Sequence, residues 1–447
     1  MSANEYLKLA DEVALEIAEG RLRPGERLPP QRSFAYQRGI AASTATRVYA
    51  ELLRRGLVVG EVGRGTYVSG QSRRGAAATT DPGDPRIDLE FNFPILSGQA
   101  QLMSQSLAGL GDTDAMQIAL RPATSGGTPA ARELGARFLA RGGWSPRPDG
   151  LAFTGGGRQA IATAIATLVP TGARCGVEAV TYPLVKGIAA RLGVNLVPLA
   201  MDENGVRPDA VEKAHREARL SALYVQPVLH NPLGITMPAA RRVDLARLAE
   251  SLDLVMIEDA VYGFLADEAP LAALAPDHCV VLDSLSKRVA PGLTLGFVSA
   301  PPRLRESVMA CIRSGGWGAG GFAFNAAQRL IADGVVGELV AAKREDASRR
   351  QRLAADCLSG FEVQADPRSY HLWLTLPEHW RSQAFVAVAA RRGIAITPSS
   401  AFAVSPGHAP NAVRLALAAP PIERLEEALR TLAGMLHASE QDFAFVE

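Results

Sequence analysis

Lys287, in the run DSLSKRVAPGLTLG, is a lysine placed where a chain could use an amine as a nucleophile. An ε-amine attacks a carbonyl only when it is partly neutral, a condition that burial supplies, and lysine is the side chain that forms Schiff bases. In a Pro-Gly-rich loop it is otherwise a surface charge, so the neighbouring motifs decide. In MIEDAVYGF a strand-like run ends at Asp259, with Tyr262 three residues later. That carboxylate is either a helix cap or a partner for a ligand. Asn231, in HNPLG, opens a turn that presents its amide or merely turns the chain. LAFTGGGRQAI runs from an apolar strand through glycines into a helix. Gly155, Gly156 and Gly157 either let main-chain N–H groups close on a phosphate at the helix start, or form a plain turn. Tyr182, before a proline, is a stacking ring or a core residue. Arg414, inside the apolar strand NAVRLALA, needs a carboxylate, from a ligand or from a buried ion pair.

These residues need a scaffold, and the second part of the chain provides one. Apolar runs such as ALYVQP, LVMIED, VVLDSLS and LGFVSA alternate with helical segments such as RRVDLARLAESL. That alternation predicts an α/β domain with a mostly parallel sheet covered by helices.

The first 70 residues read differently. Tyr6, Leu9, Ala10, Val13 and Ile17 recur at helical spacing, predicting a helix over 5–19 that stops at Gly20. A turn-rich connection, RLRPGERLPPQ, leads to a short helix over 30–38 and a third helix over 43–55, ended by Gly56. LVVG and GTYVSG then form a two-stranded hairpin, giving a winged helix-turn-helix. Between it and the large domain, residues 71–87 are rich in Ala, Thr, Gly, Pro and Asp without periodicity and read as a linker. The domains expected are therefore 1–70 and 88–447.

Composition bounds the setting. The 447 residues are 47% hydrophobic and 21% charged, as in an ordinary folded protein. The net charge of +1 is uneven: residues 1–75 carry twelve Lys and Arg against eight Asp and Glu, so the small N-terminal part is the basic one. Cys175, Cys279, Cys311 and Cys357 are scattered, which indicates neither a disulfide framework nor a metal site and fits a reducing cytoplasm. No signal peptide and no uncharged 18-residue apolar stretch is present, so no membrane role is expected.

Residues 5–70, through R-L-x-P-G-E-R-L-P-P-Q-R, R-V-Y-A-E-L-L-R-R-G-L-V and G-R-G-T-Y-V, resemble the GntR-type winged helix. The resemblance implies operator DNA as partner, with the third helix in the major groove. Ser43, Thr44, Thr46 and Arg47 are then the candidates for bases and phosphates, and Arg32 and Arg64 for the backbone. Ala41 and Ala42 stand where the family often has Ser and Arg.

Residues 88–440 resemble the fold-type I aminotransferases, which bind pyridoxal 5'-phosphate, and the combination resembles the MocR-type transcriptional regulators. The resemblance implies that Lys287 attaches the cofactor aldehyde and Asp259 partners the pyridine nitrogen. It places Tyr262 and Asn231 at the ring 3'-oxygen and Tyr182 on the ring face. Gly155, Gly156 and Gly157 would hold the phosphate, Ser284 would belong to the same cofactor site, and Arg414 would take the carboxylate of an effector. Two departures stand out. Thr294 occupies the place of a phosphate-binding arginine, which Arg288 or Arg158 would have to replace, and 120–127 lacks the tyrosine that crosses to a partner subunit.

The function expected is a homodimeric regulator whose aminotransferase-like domain senses a small amine, amino acid or B6 vitamer. A working aminotransferase carrying a DNA-binding domain is the alternative. A third reading is a regulator that holds the vitamer without a covalent bond.

Overall fold

A computed structural model describes residues 5–18, 21–23, 26–54, 57–61, 65–68, 87–113, 116–117, 120, 124–405 and 409–438. Arg64 and, apart from Ile87, the expected linker lie outside the described residues.

The N-terminal elements are helices α1 (Glu5–Ala18), α2 (Gln31–Gln37) and α3 (Ala42–Arg54), then strands β1 (Val58–Glu61) and β2 (Gly65–Val68). The apolar positions of α1 supply Ala10 and Val13 to a core completed by Phe34, Ala45, Val48, Tyr49, Leu52 and Val58. Phe34 meets Tyr49 edge to face at 5.3 Å. The turn-rich connection before α2 does more than turn: Leu28 N–H donates to the Thr66 carbonyl, and Val68 N–H to Glu26. A short extended segment thus lines β2, and Pro29 and Pro30, which lack N–H donors, end the pairing.

The large domain has two sheets. Seven strands, β3 (Leu151–Thr154), β4 (Arg174–Glu178), β5 (Asn195–Leu199), β6 (Ala222–Val225), β7 (Val255–Asp259), β8 (Cys279–Ser284) and β9 (Gly296–Ser299), stand in the order β3-β9-β8-β7-β6-β4-β5. All pairs among them are parallel except those of β9, which runs against both β8 and β3. The central strands are buried throughout, which explains their nearly continuous apolar runs. In such sheets ligands bind beyond the carboxyl ends of the strands. Asp259 and Ser284 end β7 and β8 at that edge, and the register sets Ser284 beside Gly296 and Gly296 beside Thr154.

A second, antiparallel sheet contains β10 (Val363–Ala365), β11 (His371–Thr375), β12 (Thr397–Pro398) and β13 (Ala412–Ala416) in the order β10-β11-β13-β12. Its core gathers Leu372, Leu374, Trp380, Phe385, Leu425 and Leu429. The strand Ile87–Asp88 pairs with Ile394–Ala395, so the chain that leaves the linker enters this smaller unit first. A 23-residue helix, Val335–Cys357, packs against both the Lys287 segment and the C-terminal helix Ile422–His437.

Candidate functional site

Lys287 lies in the single helical turn Leu285–Arg288 that follows β8. Ser284 caps this turn, its Oγ accepting the Ser286 N–H at 3.1 Å. The Lys287 ammonium donates to the Asn92 main-chain oxygen at 2.7 Å and lies 3.6 Å from the centre of the Phe93 ring. Burial, then the positive charges of Arg414 and Arg158, hold its pKa well below the ordinary lysine value. That is the condition for a nucleophilic amine. Behind it, Lys343 on Val335–Cys357 is 0% exposed and donates to the main-chain oxygens of Lys287 and Val289 at 3.0 and 2.8 Å. Burial pushes the Lys343 amine down to about 7.

Asp259 ends β7, its Oδ2 accepting from the Tyr224 hydroxyl at 2.6 Å and its Oδ1 from the Val261 N–H at 3.2 Å. Burial raises its carboxyl to about 6. A cationic ring nitrogen would favour the ionised form and reverse that shift. Tyr262 accepts a hydrogen bond from Asn92 Nδ2 at 3.0 Å, and its ring lies 5.3 Å from that of His371. Asn231 is buried with Oδ1 unpartnered among the described residues, and its N–H donates to Gln226 Oε1 at 3.3 Å. Its neighbour His230 accepts at its carbonyl from His371 Nε2 at 2.9 Å. Tyr182, at the start of Pro183–Leu192, is within electrostatic reach of Arg158, Asp259 and Arg414, and burial raises its phenol pKa.

The glycines divide. A Cβ at Gly156 would stand 3.1 Å from Thr294 Cγ2, and one at Gly157 would stand 3.2 Å from Ser284 Cβ. At Gly155 the nearest atoms are 3.4 Å away or more, an ordinary contact, so packing does not demand glycine there. Next to Gly156 and Gly157, Ser284 Oγ lies 3.1 Å from both Ser286 Oγ and Thr294 Oγ1. Three hydroxyls therefore gather at the N-terminus of Gly157–Leu168, where main-chain N–H groups are unused by the helix.

Of the two arginines that could make up for Thr294, Arg288 is committed elsewhere. Its guanidinium grips Asp283 through Nε at 3.3 Å and Nη2 at 2.5 Å, between the Phe138 and Phe264 rings. Arg158 is exposed, in the first turn of its helix and on the Tyr182 side. Arg414 is buried in β13 opposite Trp373 and Thr397, donating to the Glu90 carbonyl and, at 3.1 Å, to Thr397 Oγ1. Its Nε has no partner, and it forms no ion pair among the described residues. The buried ion-pair reading therefore has no carboxylate to rest on.

On the winged helix, Ser43, Thr46 and Arg47 are exposed on α3 and Thr44 is half-buried; Arg32 is exposed on α2. Arg32 and Arg47 form no ion pair among the described residues. Arg38, by contrast, is tied to Glu12 and Glu16 of α1 at 3.3 and 2.8 Å. Thr46 is engaged within the domain, donating to Gln31 Oε1 at 2.9 Å.

Sequence reasoning missed Asn92, Tyr224, Lys343 and His371. Asn92 lies in EFNFP, which carries no recognisable signal, and the three others read as residues of an ordinary strand or helix.

The sheet, the buried lysine at its edge and the hydroxyl-lined glycine turn define a protein of the pyridoxal-phosphate-dependent transferase fold. The residues present fit that cofactor: a buried amine of lowered basicity at Lys287 suits an aldehyde, a buried carboxyl at Asp259 suits a cationic ring nitrogen, and Gly156 and Gly157 leave room that a Cβ would fill. Comparison with known proteins agrees. Residues 96–432 match the family model for class I and II aminotransferases, and residues 5–68 match that for bacterial regulatory proteins of the gntR family. The chain belongs to the class I and II aminotransferase family and, with its gntR-family domain, is a MocR-type transcriptional regulator whose cofactor is pyridoxal 5'-phosphate.

YdeF, an HTH-type transcriptional regulator of Bacillus subtilis, is 29% identical over 96% of this chain and 94% of its own length. PtsJ of Salmonella typhimurium, a vitamin B6 salvage pathway transcriptional repressor, is 25% identical over 91% of this chain and 93% of its own. The kynurenine aminotransferase of Pyrococcus horikoshii superposes with a TM-score of 0.72 at 22% identity, covering 79% of this chain and 91% of that one. No helix among the described residues is long and apolar enough to cross a membrane.

Proposed function

We propose that the protein senses a small amine, amino acid or B6 vitamer at the Lys287 pocket and converts its presence into a change in affinity for operator DNA. One observation carries this reading: Arg414 is a buried guanidinium without a carboxylate, close enough to the buried Lys287 amine to depress its basicity. A free charge in such a place costs stability unless a ligand completes it. Bound there, pyridoxal phosphate supplies an aldehyde that takes an amine and a ring that withdraws electrons. Lys287 would present the uncharged amine, Asp259 would hold a proton at the ring nitrogen, and Tyr262 and Asn231 would serve the ring oxygen. Tyr182 would serve the ring face, and Gly155, Gly156, Gly157 and Ser284 would hold the phosphate. Arg158, rather than Arg288, would supply the charge that Thr294 lacks.

Sensing requires that the ligand bind two conformations of the protein unequally, since only that difference shifts the DNA equilibrium. Arg32, Ser43, Thr44, Thr46, Arg47 and Arg64 are the residues assigned to the operator. A homodimer, set in the cytoplasm, presents two winged helices to paired half-sites. Ile95, Leu120 and Phe322 are exposed apolar side chains of the large domain that a second copy would cover.

The test is the absorbance of the purified protein with added pyridoxal phosphate, for wild type and Lys287→Ala. Amino acids, amines and vitamers are then titrated in, with keto acid assayed and binding to a promoter fragment followed. A visible band that needs Lys287, shifts with one ligand and changes DNA affinity without turnover supports the sensor. Steady release of keto acid would make the protein an aminotransferase with a DNA-binding arm, a reading favoured by the presence of Lys287, Asp259, Tyr262 and Arg414 in one pocket.

A further inference from the structure

Tyr67 on β2 is buried on a face that the helices of its own domain do not fill. Val58 lies in the core beneath those helices, and the strand register sets Val68 opposite it. Residues paired across two antiparallel strands share a face, so Val68 points towards the helices. Successive side chains alternate, so Tyr67 points away from them. A two-stranded ribbon packed on one side leaves its other side to solvent, yet Tyr67 is 1% exposed. A cover outside the helical core is required.

Part of that cover is Arg27, whose main chain bridges to Tyr67 and whose Nε would stand 2.8 Å from a Cβ at Gly65, two residues away on the same face. Another part comes from the large domain. The Arg381 guanidinium carbon lies 4.5 Å from the centre of the Tyr67 ring, within the range at which a guanidinium is held by an aromatic face.

Arg381 does not serve its own helix. It occupies the N-cap of Ser382–Arg391, where a side-chain oxygen is preferred and a positive charge opposes the helix dipole. The capping is done by Asn411, whose Oδ1 accepts the Ser382 N–H at 3.1 Å. Arg381 also forms no ion pair among the described residues, and its guanidinium is given to Tyr67. The base it stands on is stiff. Asn411 Nδ2 donates to the Trp380 carbonyl at 2.9 Å, Trp380 Nε1 to the Met435 carbonyl at 2.9 Å, and Ser382 Oγ to the Ala412 carbonyl at 2.9 Å. Ala412 opens β13, so the contact lies on the smaller unit and not on the seven-stranded sheet.

With the large domain in place, Arg32, Ser43, Thr46 and Arg47 are still exposed. The contact therefore leaves open the face assigned to the operator.

We propose that Arg381 is the seat of the winged helix: its guanidinium on the Tyr67 ring docks the DNA-binding domain on the smaller unit and sets the direction in which α3 faces. Two copies then present their recognition helices at a set separation, which selects the spacing of half-sites. The seat is independent of what the pocket binds, and only the consequence for spacing rests on the operator reading.

The experiment uses the full-length protein with a dye at Ser33→Cys, an exposed position of α2, in a background where the half-buried Cys311 and Cys357 are serine. Time-resolved anisotropy is recorded for this protein and for its Arg381→Ala, Tyr67→Leu and doubly substituted forms. A docked winged helix tumbles with the whole molecule, whereas a loose one adds a faster, domain-sized decay. The expected result is no such decay with Arg381 and Tyr67 in place, its appearance in each single variant, and no further change in the double variant, because both substitutions break one contact. A domain-sized decay with both residues present, or an Arg381→Ala decay indistinguishable from it, overturns the seat. If Tyr67→Leu does not fold, Arg381→Ala decides, since Arg381 lies outside the winged-helix core and outside the pocket, and its visible band with pyridoxal phosphate should be unchanged.

The unlabelled proteins are then compared on a promoter fragment with both half-sites and on the same fragment cut to one. Arg381→Ala should lose severalfold in the ratio of the two affinities, because a loose domain no longer presents its partner site at a set distance, and should bind the single half-site as wild type does. An unchanged ratio overturns the role in spacing. Failure of wild type to bind any fragment overturns the operator reading, while the anisotropy still judges the seat.

Discussion

The buried ammonium of Lys343 is bonded to the main chain of another lysine, donating to the Lys287 carbonyl at 3.0 Å as well as to that of Val289 at 2.8 Å. A cation with no carboxylate in this contact serves as a clamp on the turn that aims Lys287. Its charge also lowers the basicity of Lys287. Lys343→Met should strand the buried Lys287 carbonyl at about 1–3 kcal/mol, that of Val289 keeping the Gln99 Nε2 donor at 2.9 Å, and so lower the melting temperature. It should also raise the Lys287 pKa, so the visible band formed with pyridoxal phosphate should require a higher pH. A pH titration of that band, wild type against variant, checks the direction.

Arg158 and Arg288 should behave as opposites. Arg158→Ala should leave the fold intact and weaken pyridoxal phosphate by roughly tenfold to a hundredfold, the usual worth of a charge-assisted contact. Arg288→Ala removes the closer of the two arginines on buried Asp283, leaving Arg141 at 3.5 Å, and should cost about 1.5–3 kcal/mol of stability. Equilibrium titration of the cofactor and denaturant unfolding separate the two effects.

Gly296 is a third test of the site, and it was not legible as one. A Cβ there would stand 2.2 Å from Thr154 Oγ1 and 2.5 Å from the Gly156 carbonyl. Gly296→Ala should push β9 off β3, deform the glycine turn, destabilise the fold by about 1–3 kcal/mol and weaken the cofactor in the same variant. Gly155→Ala, where the space is ordinary, should do far less, as parallel melts and cofactor titrations would show.

These residues show how far the sequence could be read. Lys287, Asp259, Tyr262 and Arg414 were legible as candidates only through the order and spacing of their runs, since each run by itself also fits a surface charge, a helix cap or an ion pair. The layered fold was legible because buried parallel strands have to be apolar along their whole length. Which arginine is free was not legible: Arg158 and Arg288 look alike until Asp283 is seen to hold one of them. Asn92 was hidden for a different reason, since it reaches Lys287 across 195 residues of chain and no local pattern records such a contact. The pairing of Glu26 and Leu28 with β2 was likewise masked by the prolines and glycine around them.

His371 gives the pH dependence a sign. Its folded pKa, about 3, lies below its ordinary value of 6.5 because burial disfavours the charged ring. Both states are neutral above pH 6.5, so the residue contributes no slope there. Between pH 6.5 and 3 the unfolded chain takes up a proton that the folded one refuses, and stability falls by up to ~1.4 kcal/mol per pH unit. Asp259, raised to about 6, opposes this trend below that pH, because its folded carboxyl protonates first. Denaturant midpoints at pH 7 and pH 5 should therefore fall more steeply in wild type than in His371→Asn.

On the winged helix, Arg47→Ala and Arg32→Ala should each reduce the slope of log affinity against log salt by about 1, the signature of a lost phosphate contact. Thr46→Val should act differently, since its hydroxyl is bonded to Gln31 and its loss loosens α3 against α2. Salt titrations on a promoter fragment, beside thermal melts, distinguish lost contact from lost rigidity.

The stretch from Ile87 to Phe93 ties these threads together. It is pinned at Ile87 by Gly393, at Glu90 by Arg414 and at Asn92 by Lys287, and in sequence it is the direct continuation of the segment that leads back to the DNA-binding domain. The wall of the pocket is thus also the first stretch of the large domain, and a ligand that claims Arg414 or Lys287 competes with the main-chain oxygens of Glu90 and Asn92 for the same donors.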